Sequence, residues 1–487
     1  MRERFFDEKD REAIGWVKRC QEYKAMIPGF ADRLKESPAE VLKEYGLPLK
    51  PEDVFFKKHP DNMDPKQHKR MEAEYPGSKA ELYAGFMNKK LDALQTLRDD
   101  NTPSNSKFAK WRENQILRCI LDLGPQAPFL VHVPISFEIA DGCSVGCEFC
   151  GLNAGPLKEL FRYTDENAAL WKDVLARSKE VVGPAAGGGT LYCATEPLDN
   201  PDYELLMHDF KDCFGVIPQI TTATAARHID RLHELLKELN EDGRTVYRFS
   251  ILSEEIFHKI MDAFTPEELV LVELIPQFDE ARNHHFVHTG RYARDHKSMP
   301  AYQMEQEGLG QEEDAPEKAY SGTIACMSGF LINMCRRSIT LSTPTWQDED
   351  HPTGQYILAE EHFTDGADYQ AKLERMIEKH MKTNLEPDDI LFTYPYLSCK
   401  PDGNAVCFES GRGSILKTKS GSKSDTVNAE LIKKVFELAS EGCYTRREIV
   451  KKALQATGYS AVGSEYLYYL INSFWKRGVF AVRGELL

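Results

Sequence analysis

The chain has 487 residues with 41% hydrophobic content, and 61 Lys and Arg stand against 77 Asp and Glu for a net charge of −16. This length predicts two to four domains with an ample core, and no apolar run is long enough to span a membrane, so no membrane partner is expected. The excess of carboxylates argues against broad nucleic-acid binding, because phosphate contacts need surplus cations, but it does not exclude one local basic face.

The amino-terminal residues indicate a compartment. Residues 1–7 are charged and contain no apolar region of the kind found in signal peptides. Without an export signal, the 12 cysteines are expected to be reduced thiols in the cytoplasm.

Residues 1–120 predict a helical amino-terminal region. The segments 8–26 and 79–97 have the composition of helices, and Pro38 marks the start of another. This region holds no catalytic constellation, so a role in scaffolding or substrate guidance is expected.

Three cysteines follow a strand-like run over residues 131–139. Cys143, Cys147 and Cys150 are spaced C-x-x-x-C-x-x-C, and glycines between them let one loop fold tightly around a common centre. Three thiolates leave a fourth metal position open, which suits catalysis, whereas structural metal sites are closed by four protein ligands. The alternatives are a chance cluster and a zinc site with a distant fourth ligand.

This spacing resembles the cluster loop of the radical S-adenosylmethionine (SAM) superfamily. The resemblance implies that the three cysteines hold a [4Fe-4S] cluster and that SAM chelates the fourth iron through its amino and carboxylate groups. It also implies that Phe149, which precedes the third cysteine, lies against the adenine of SAM. No further clustered set of cysteines follows Cys150, so a single cluster is expected.

A second segment matches the superfamily downstream. Residues 188–198 predict a strand that ends in the sequence Ala-Thr-Glu-Pro, which is similar to the Gly-Gly-Glu-Pro segment that holds the SAM ammonium, with both glycines replaced. The resemblance implies that Thr195 and Glu196 bind SAM, because a buried ammonium needs a charge-assisted acceptor. The alternative for Glu196 is a solvated carboxylate at a strand end.

Residues 121–390 predict an α/β unit. Apolar runs that alternate with helical segments are found over residues 131–139, 188–198, 216–222, 246–252, 269–275 and 338–342. This alternation predicts parallel strands with right-handed crossovers, and six strands would match the partial (β/α)6 barrel of the superfamily, whose chemistry gathers at the carboxyl ends of the strands. Thr222 and Ser250 lie near those ends as candidates for the SAM ribose and carboxylate, with helix capping as the alternative. The acidic segment 305–318 predicts a solvated loop or a lid.

Residues 391–487 predict a separate unit of short strands, three helices and a final strand. This order is similar to the winged-helix recognition element of enzymes that modify ribosomally synthesised peptides (the RiPP recognition element). The resemblance implies that the leader of a precursor peptide adds as a strand to the sheet edge. Basic residues that would suit an acidic leader there are Arg412, Lys417, Lys419 and Lys423. The alternative is DNA binding, with a recognition helix that opens at Thr445.

Two segments, residues 144–151 and 324–334, make the chain similar to radical SAM epimerases of the proteusin type, which turn L-residues of a precursor peptide into D-residues. The resemblance implies a reducing partner of the flavodoxin or ferredoxin type, a 5′-deoxyadenosyl radical that takes hydrogen from a peptide Cα, and a thiol that returns hydrogen from the opposite face. Cys335 is the first candidate for this thiol. The other candidates are Cys326, Cys399, Cys407 and Cys193.

The end of the predicted sixth strand argues against simple epimerisation, because residues 342–345 include no cysteine. Three alternatives therefore stay open. A related maturase could perform backbone excision, cross-linking or another rearrangement without a thiol donor. The chain could instead be a radical SAM enzyme that modifies a nucleic acid held by its winged helix, or a non-catalytic binding protein that kept the cluster.

Overall fold

The structure is a computed structural model that describes residues 3–54, 78–281, 287–295, 320–402, 405–411, 414–418, 429–458 and 463–484. The acidic segment 305–318 and the basic residues Arg412, Lys419 and Lys423 lie outside the described residues. The described parts form a mixed α/β protein, and none of their helices is long and apolar enough to cross a membrane.

The helices and strands follow the predicted order in most of the chain. The helices are α1 (Arg11–Met26), α2 (Phe30–Glu36), α3 (Pro38–Glu44), α4 (Lys79–Asp100), α5 (Ser106–Leu123), α6 (Asp165–Val182), α7 (Tyr203–Phe214), α8 (Ile229–Asp242), α9 (Glu254–Ala263), α10 (Gly290–Asp295), α11 (Gly366–His380), α12 (Ala429–Ser440), α13 (Arg446–Thr457) and α14 (Ser464–Lys476). The strands are β1 (Val133–Glu138), β2 (Ala140–Asp141), β3 (Glu159–Leu160), β4 (Thr221–Thr222), β5 (Tyr247–Ile251), β6 (Val272–Pro276), β7 (Val287–His288), β8 (Tyr320–Ser321), β9 (Met327–Asn333), β10 (Ser338–Pro344), β11 (Gln355–His362), β12 (Leu391–Thr393), β13 (Leu397–Asp402), β14 (Ala405–Ser410), β15 (Ile415–Lys417) and β16 (Phe480–Val482).

The amino-terminal helices pack against the edge of the α/β unit. Helices α1 and α4 lie where the sequence predicts helices. Helix α1 approaches the loop before β6 so closely that a Cβ added at Gly15 would lie 2.6 Å from the carbonyl oxygen of Pro266. Glycine is the residue that permits this contact, because any side chain would overlap the loop backbone.

Two sets of parallel strands form the centre of the molecule. Strands β4, β5 and β6 are parallel neighbours, with Thr221, Arg248 and Glu273 in one cross-strand row. Strand β1 pairs in parallel with β9. Between the two sets, the carbonyl of Thr190 accepts a hydrogen bond of 2.8 Å from the N–H of Phe137, and a single parallel bridge joins Thr190 to Gln219.

Alternate residues of these strands face a common hydrophobic core. On β5, Tyr247, Phe249 and Ile251 are completely buried, while Arg248 and Ser250 point to the other side of the sheet. We call that side, defined by Thr221, Arg248, Ser250 and Glu273, the open face.

The structure corrects three strand predictions. Residues 188–198 make one bridge and form no strand, and the third predicted strand is reduced to β4. The sixth predicted strand, β10, pairs antiparallel with β9 and β11, so its assignment to a parallel set was wrong. The reason is a tight turn, in which the side chain of Asn333 accepts a 2.9 Å hydrogen bond from the N–H of Arg336 and Arg337 has a φ of +49°. A short turn can join only antiparallel strands, because parallel pairing needs a long crossover.

The carboxyl-terminal unit has the predicted strands and helices. Among the described strands, β13, β14 and β15 form a meander in which β15 pairs with β14 alone, and β12 pairs with β16. The predicted strand 391–398 is divided between these two sheets at Pro395, which has no N–H for a ladder. The core of this unit, built around Phe408 and Phe474, also contains Leu121 of α5 and Tyr356 of β11.

Candidate functional site

The three-cysteine loop is fixed by its own backbone. The N–H of Cys143 donates to the carbonyl of Gly155 at 2.9 Å, and the carbonyl of Cys143 accepts from the N–H of Leu157 at 3.1 Å. Gly142 has a φ of +89°, and a Cβ there would lie 2.1 Å from the carbonyl oxygen of Pro156. The glycine is therefore required for the loop to fold back on itself.

Backbone N–H groups point at the sulfur atoms of this loop. The Sγ of Cys150 accepts a hydrogen bond from the N–H of Ala154 at 3.3 Å, and the N–H groups of Val145 and Gly146 bond the sulfur of Cys143. Burial raises the pKa of Cys147 to about 11, and the neighbouring thiols add to this shift. The thiol is therefore protonated at neutral pH until a metal displaces the proton.

Arg291 of helix α10 contacts the same loop from outside, and no sequence pattern indicates this role. Its guanidinium donates to the carbonyl of Cys147 at 2.7 Å and to that of Ala154 at 2.5 Å. Its backbone N–H donates to the carbonyl of Cys150 at 2.9 Å. The contact joins residues about 140 positions apart, so local sequence patterns could not reveal it.

Glu196 lies beside the cysteine loop. Its carboxylate is 3% exposed and accepts hydrogen bonds from the N–H groups of Leu198 at 3.1 Å and Ala223 at 2.8 Å. Burial raises its pKa, and its charge acts on the thiols of Cys143 and Cys147. The two motifs are thus brought into one site.

Asp199 and Thr195 belong to the same site as Glu196. Asp199 accepts hydrogen bonds from the backbone N–H of Ser144 at 3.0 Å and from its hydroxyl at 2.5 Å, which ties the Glu196 segment to the cysteine loop. The Oγ1 atom of Thr195 is buried and has no hydrogen-bond partner among the described residues. A buried hydroxyl without a partner is costly, so this atom is available to a ligand.

The other predicted SAM-binding residues have different surroundings. Thr222 is completely buried, accepts a 3.0 Å hydrogen bond from the N–H of Thr224 and bonds the carboxylate of Glu196, so it can orient Glu196. Ser250 is half-buried on the open face, and Phe149 is half-buried in the cysteine loop. Their proposed contacts with SAM stay predictions.

The five candidate donor thiols fall into three places. Cys335 lies in the β9–β10 turn, and its Sγ donates to the carbonyl of Glu159 at 3.7 Å. Cys399 and Cys407 belong to strands β13 and β14; Cys399 packs against the carboxyl-terminal core and Cys407 is buried. The charges of Cys326 and Cys150 act on the thiol of Cys193, and the charge of Cys326 also acts on Arg248 of the open face.

Glu138, which the sequence analysis missed, connects this region at the end of β1. It is 3% exposed, and its carboxylate accepts hydrogen bonds from the N–H of Ala194 at 2.8 Å and from the side chain of Asn333 at 2.9 Å. Burial raises its pKa. Glu138 therefore links β1, β9 and the segment that carries Glu196.

The donor set of this loop can be compared with the needs of a metal group. In the part of the chain that the structure describes, no group of three or more His, Cys, Asp or Glu side chains is placed to hold one metal ion. The sulfur atoms of Cys143 and Cys150 accept backbone hydrogen bonds, and sulfur ligands of iron–sulfur clusters accept such bonds. The chemistry of the three thiols is compatible with such a cluster.

A curated relative places the chain in a family. The uncharacterized protein y4wI of Sinorhizobium fredii is 35% identical over 385 residues, which cover 78% of this chain and 73% of the relative. The chain belongs to the y4wI family. The match shows membership of this family and leaves its activity open, and no family model matches the chain.

A solved structure overlaps part of the y4wI-family fold. It is the crystal structure of BtrN in complex with AdoMet and 2-DOIA, with 17% sequence identity and a TM-score of 0.24. The overlap covers 30% of this chain and spans little more than half, 56%, of the BtrN chain. A likeness of this size carries no argument about fold or function.

Proposed function

We propose that this protein is a radical SAM enzyme that modifies a ribosomally synthesised precursor peptide, and that it inverts Cα centres from L to D. The observation that supports it most is the position of Glu196, whose buried carboxylate lies beside the thiols of Cys143 and Cys147. A buried carboxylate beside a thiolate cluster can receive an ammonium group, because charge-assisted hydrogen bonds are strong in a dry site.

The residues of the site divide the work of holding the cofactors. Cys143, Cys147 and Cys150 would hold one [4Fe-4S] cluster, which together with SAM supplies a 5′-deoxyadenosyl radical that abstracts hydrogen. Glu196 would accept the SAM ammonium, and the unpartnered hydroxyl of Thr195 would complete that contact.

Further residues orient Glu196 or are proposed to contact SAM. Thr222 and the N–H of Ala223 fix the carboxylate of Glu196 in one orientation. Ser250 lies on the open face, in the carboxyl-terminal half of β5, and would bind the SAM carboxylate. Phe149 would cover the adenine and exclude water from it.

The edge of β15 supports a peptide substrate. Ser410 donates from its backbone to Ser414 at 2.8 Å, and Thr418 donates to Val406 at 2.9 Å. Since hydrogen-bonded and non-bonded pairs alternate in an antiparallel ladder, the N–H and C=O groups of Ile415 and Lys417 point away from β14. No described residue bonds these groups on that side, so they can pair with an added strand.

A groove lies beside this edge. It has a volume of about 350 Å³ and is lined by Leu117, Ile120, Leu121, Gly124, Ser414, Ile415, Leu416 and Arg477. Ile120 and Ile415 are 55% and 61% exposed. Exposed apolar side chains that line a groove are typical of a binding surface. Lys417 pairs with Asp402 at 3.3 Å, so backbone pairing and apolar contact support leader binding more than charge does.

The position of the thiols bears on the reaction. Cys193 and Cys326 interact with each other, and Cys326 also interacts with Arg248 of the open face, whereas Cys399 and Cys407 lie on strands of the carboxyl-terminal unit. We therefore place Cys193 and Cys326 ahead of Cys335 as donors for inversion. Backbone excision and cross-linking use the same first hydrogen abstraction without a thiol, and they are the alternative outcomes.

Anaerobic incubation with the precursor peptide encoded beside the gene, SAM, dithionite and deuterated water tests this function by mass spectrometry. Gain of one deuterium at each changed residue indicates inversion through an exchangeable thiol, loss of a backbone fragment indicates excision, and loss of hydrogen without exchange indicates cross-linking. The matched control replaces Cys143, Cys147 and Cys150 by Ala. Unchanged peptide together with modified nucleic acid would contradict the proposal.

A further inference from the structure

A charged cluster crosses the open face of the sheet. The carboxylate of Glu273 forms ion pairs with the Nζ atom of Lys90 at 2.7 Å and with the Nε atom of Arg248 at 2.9 Å. Two cations thus share one anion, and the cluster carries one net positive charge. Lys90 comes from α4, so the amino-terminal region contributes to this surface.

Arg248 is the exposed member of the cluster. Its side chain is 47% exposed, whereas that of Lys90 is 11% exposed. Its Nε atom donates to Glu273, and its two terminal amino groups make no hydrogen bond to any described residue. The terminal amino groups of a guanidinium form a rigid fork that matches a planar anion. The two amino groups of Arg248 can therefore donate to such a ligand.

The surroundings of Arg248 are polar and include the candidate donor Cys326. Its row partner Thr221 and nearby Gln219 hold the hydroxyl of Tyr192 at 2.6 and 2.5 Å. The charges of Tyr192 and Cys326 act on the guanidinium. Arg248 therefore faces the same space as the candidate donors.

This cation lies apart from the proposed ammonium site. The N–H of Ala223, which bonds Glu196, follows Thr221 by two residues, and Thr221 is the cross-strand partner of Arg248. At about 3.3 Å per residue, the two levels are roughly 7 Å apart along the strands. The open face therefore offers an acceptor for a cation at one level and donors for an anion at another.

We propose that Arg248 binds a carboxylate of the substrate, either an Asp or Glu side chain or a terminal carboxylate of the peptide. Glu273 and Lys90 are positioning residues that hold the guanidinium. One net positive charge matches a carboxylate, whereas a phosphate dianion would need more cations. The proposal rests on the proposed function only in taking the open face as the substrate site.

Ligand-observed saturation-transfer NMR on the full chain, without iron or SAM, tests the proposal with two blocked amino acids. These are N-acetylglutamate N-methylamide, which carries one carboxylate, and N-acetylglutamine N-methylamide, its uncharged isostere. We expect the wild type to bind the glutamate compound at least about tenfold more tightly than the glutamine compound. Arg248→Met should remove this preference, whereas Arg248→Lys, which keeps the positive charge, should retain part of it. The control Arg375→Met removes a surface arginine that pairs with Glu361 and should keep the preference.

A parallel measurement in reconstituted protein follows 5′-deoxyadenosine formation from SAM. Arg248→Met should keep this reaction, because its ligand is the substrate. Loss of both the preference and SAM cleavage would show that Arg248 serves the SAM carboxylate, and an unchanged preference in Arg248→Met would show that it binds no carboxylate. Either result overturns the proposal. If no variant cleaves SAM, the proposed function fails, and the NMR result still decides the role of Arg248.

Discussion

At the scale of single residues, the contacts of Arg291 with the cysteine loop lead to a testable prediction. Its guanidinium donates to the carbonyls of Cys147 and Ala154, and hydrogen bonds from a charged donor contribute about 1.5–3 kcal/mol each. Arg291→Ala should therefore loosen the cysteine loop and lower the iron content after reconstitution to well under half of the wild-type value. Arg294→Ala on the same helix is the control, because Arg294 pairs with its neighbour Asp295 at the surface.

Iron per chain, the absorption of the cluster and protease cleavage within residues 142–158 measure the effect of Arg291→Ala. Wild-type iron content and wild-type cleavage in this variant would show that the loop does not depend on the arginine. Equal losses in Arg294→Ala would show that helix α10, and not the contact, is responsible.

Thr195 and Thr190 form a matched pair in one segment. The hydroxyl of Thr190 donates to the carbonyl of Tyr192 at 2.7 Å, while that of Thr195 is buried without a partner among the described residues. Thr190→Val should cost about 1 kcal/mol in the free energy of unfolding. Thr195→Val should leave that free energy unchanged or raise it, and should weaken SAM binding severalfold. Calorimetric titration of reconstituted protein and thermal unfolding separate the two effects, and unaltered SAM affinity in Thr195→Val would remove this residue from the site.

At the scale of elements, the edge of β15 can be tested without disturbing the sheet. Because the N–H of Lys417 points away from β14, Lys417→Pro removes one donor for an added strand and leaves the ladder with β14 intact. Lys417→Ala removes the charge and keeps the N–H. We expect the proline variant to weaken binding of the leader peptide about tenfold and the alanine variant to have a much smaller effect, measured by fluorescence polarisation. Equal losses in both variants would mean that charge, and not strand addition, holds the peptide.

The elements also show what the sequence could predict. The cysteine loop and strand β5 follow from local patterns, namely the spacing of Cys143, Cys147 and Cys150 and the alternation along Tyr247–Ile251. The antiparallel pairing of β10 depends on a turn closed by Asn333. The apolar run of the predicted sixth strand does not by itself indicate whether that strand pairs parallel or antiparallel. Arg291 and Lys90 act across more than 140 residues, and such contacts leave no local pattern. The cysteine loop and the alternation of β5 could therefore be predicted from the sequence, whereas the distant residues that contact them could not.

At the scale of the whole molecule, its parts share their cores. The carboxyl-terminal core includes Leu121 of α5, Tyr356 of β11 and Leu385. The side chain of Arg446 in α13 donates to the carbonyl of Leu385 at 2.5 Å. A cut at residue 390 would therefore expose the apolar side of the remaining protein.

Removal of residues 391–487 should for this reason destabilise the rest of the chain as well as abolish leader binding. Exposure of Leu121, Tyr356 and Leu385, which are at most 8% exposed in the intact chain, should cost about 1.5–3 kcal/mol for each side chain. That sum is comparable to the whole stability of an ordinary domain, about 5–15 kcal/mol. Thermal unfolding and binding of an apolar dye should reveal a loosened protein, whereas full-length Lys417→Pro should unfold like the wild type. A truncated chain with wild-type stability and SAM cleavage would show instead that the two parts fold independently.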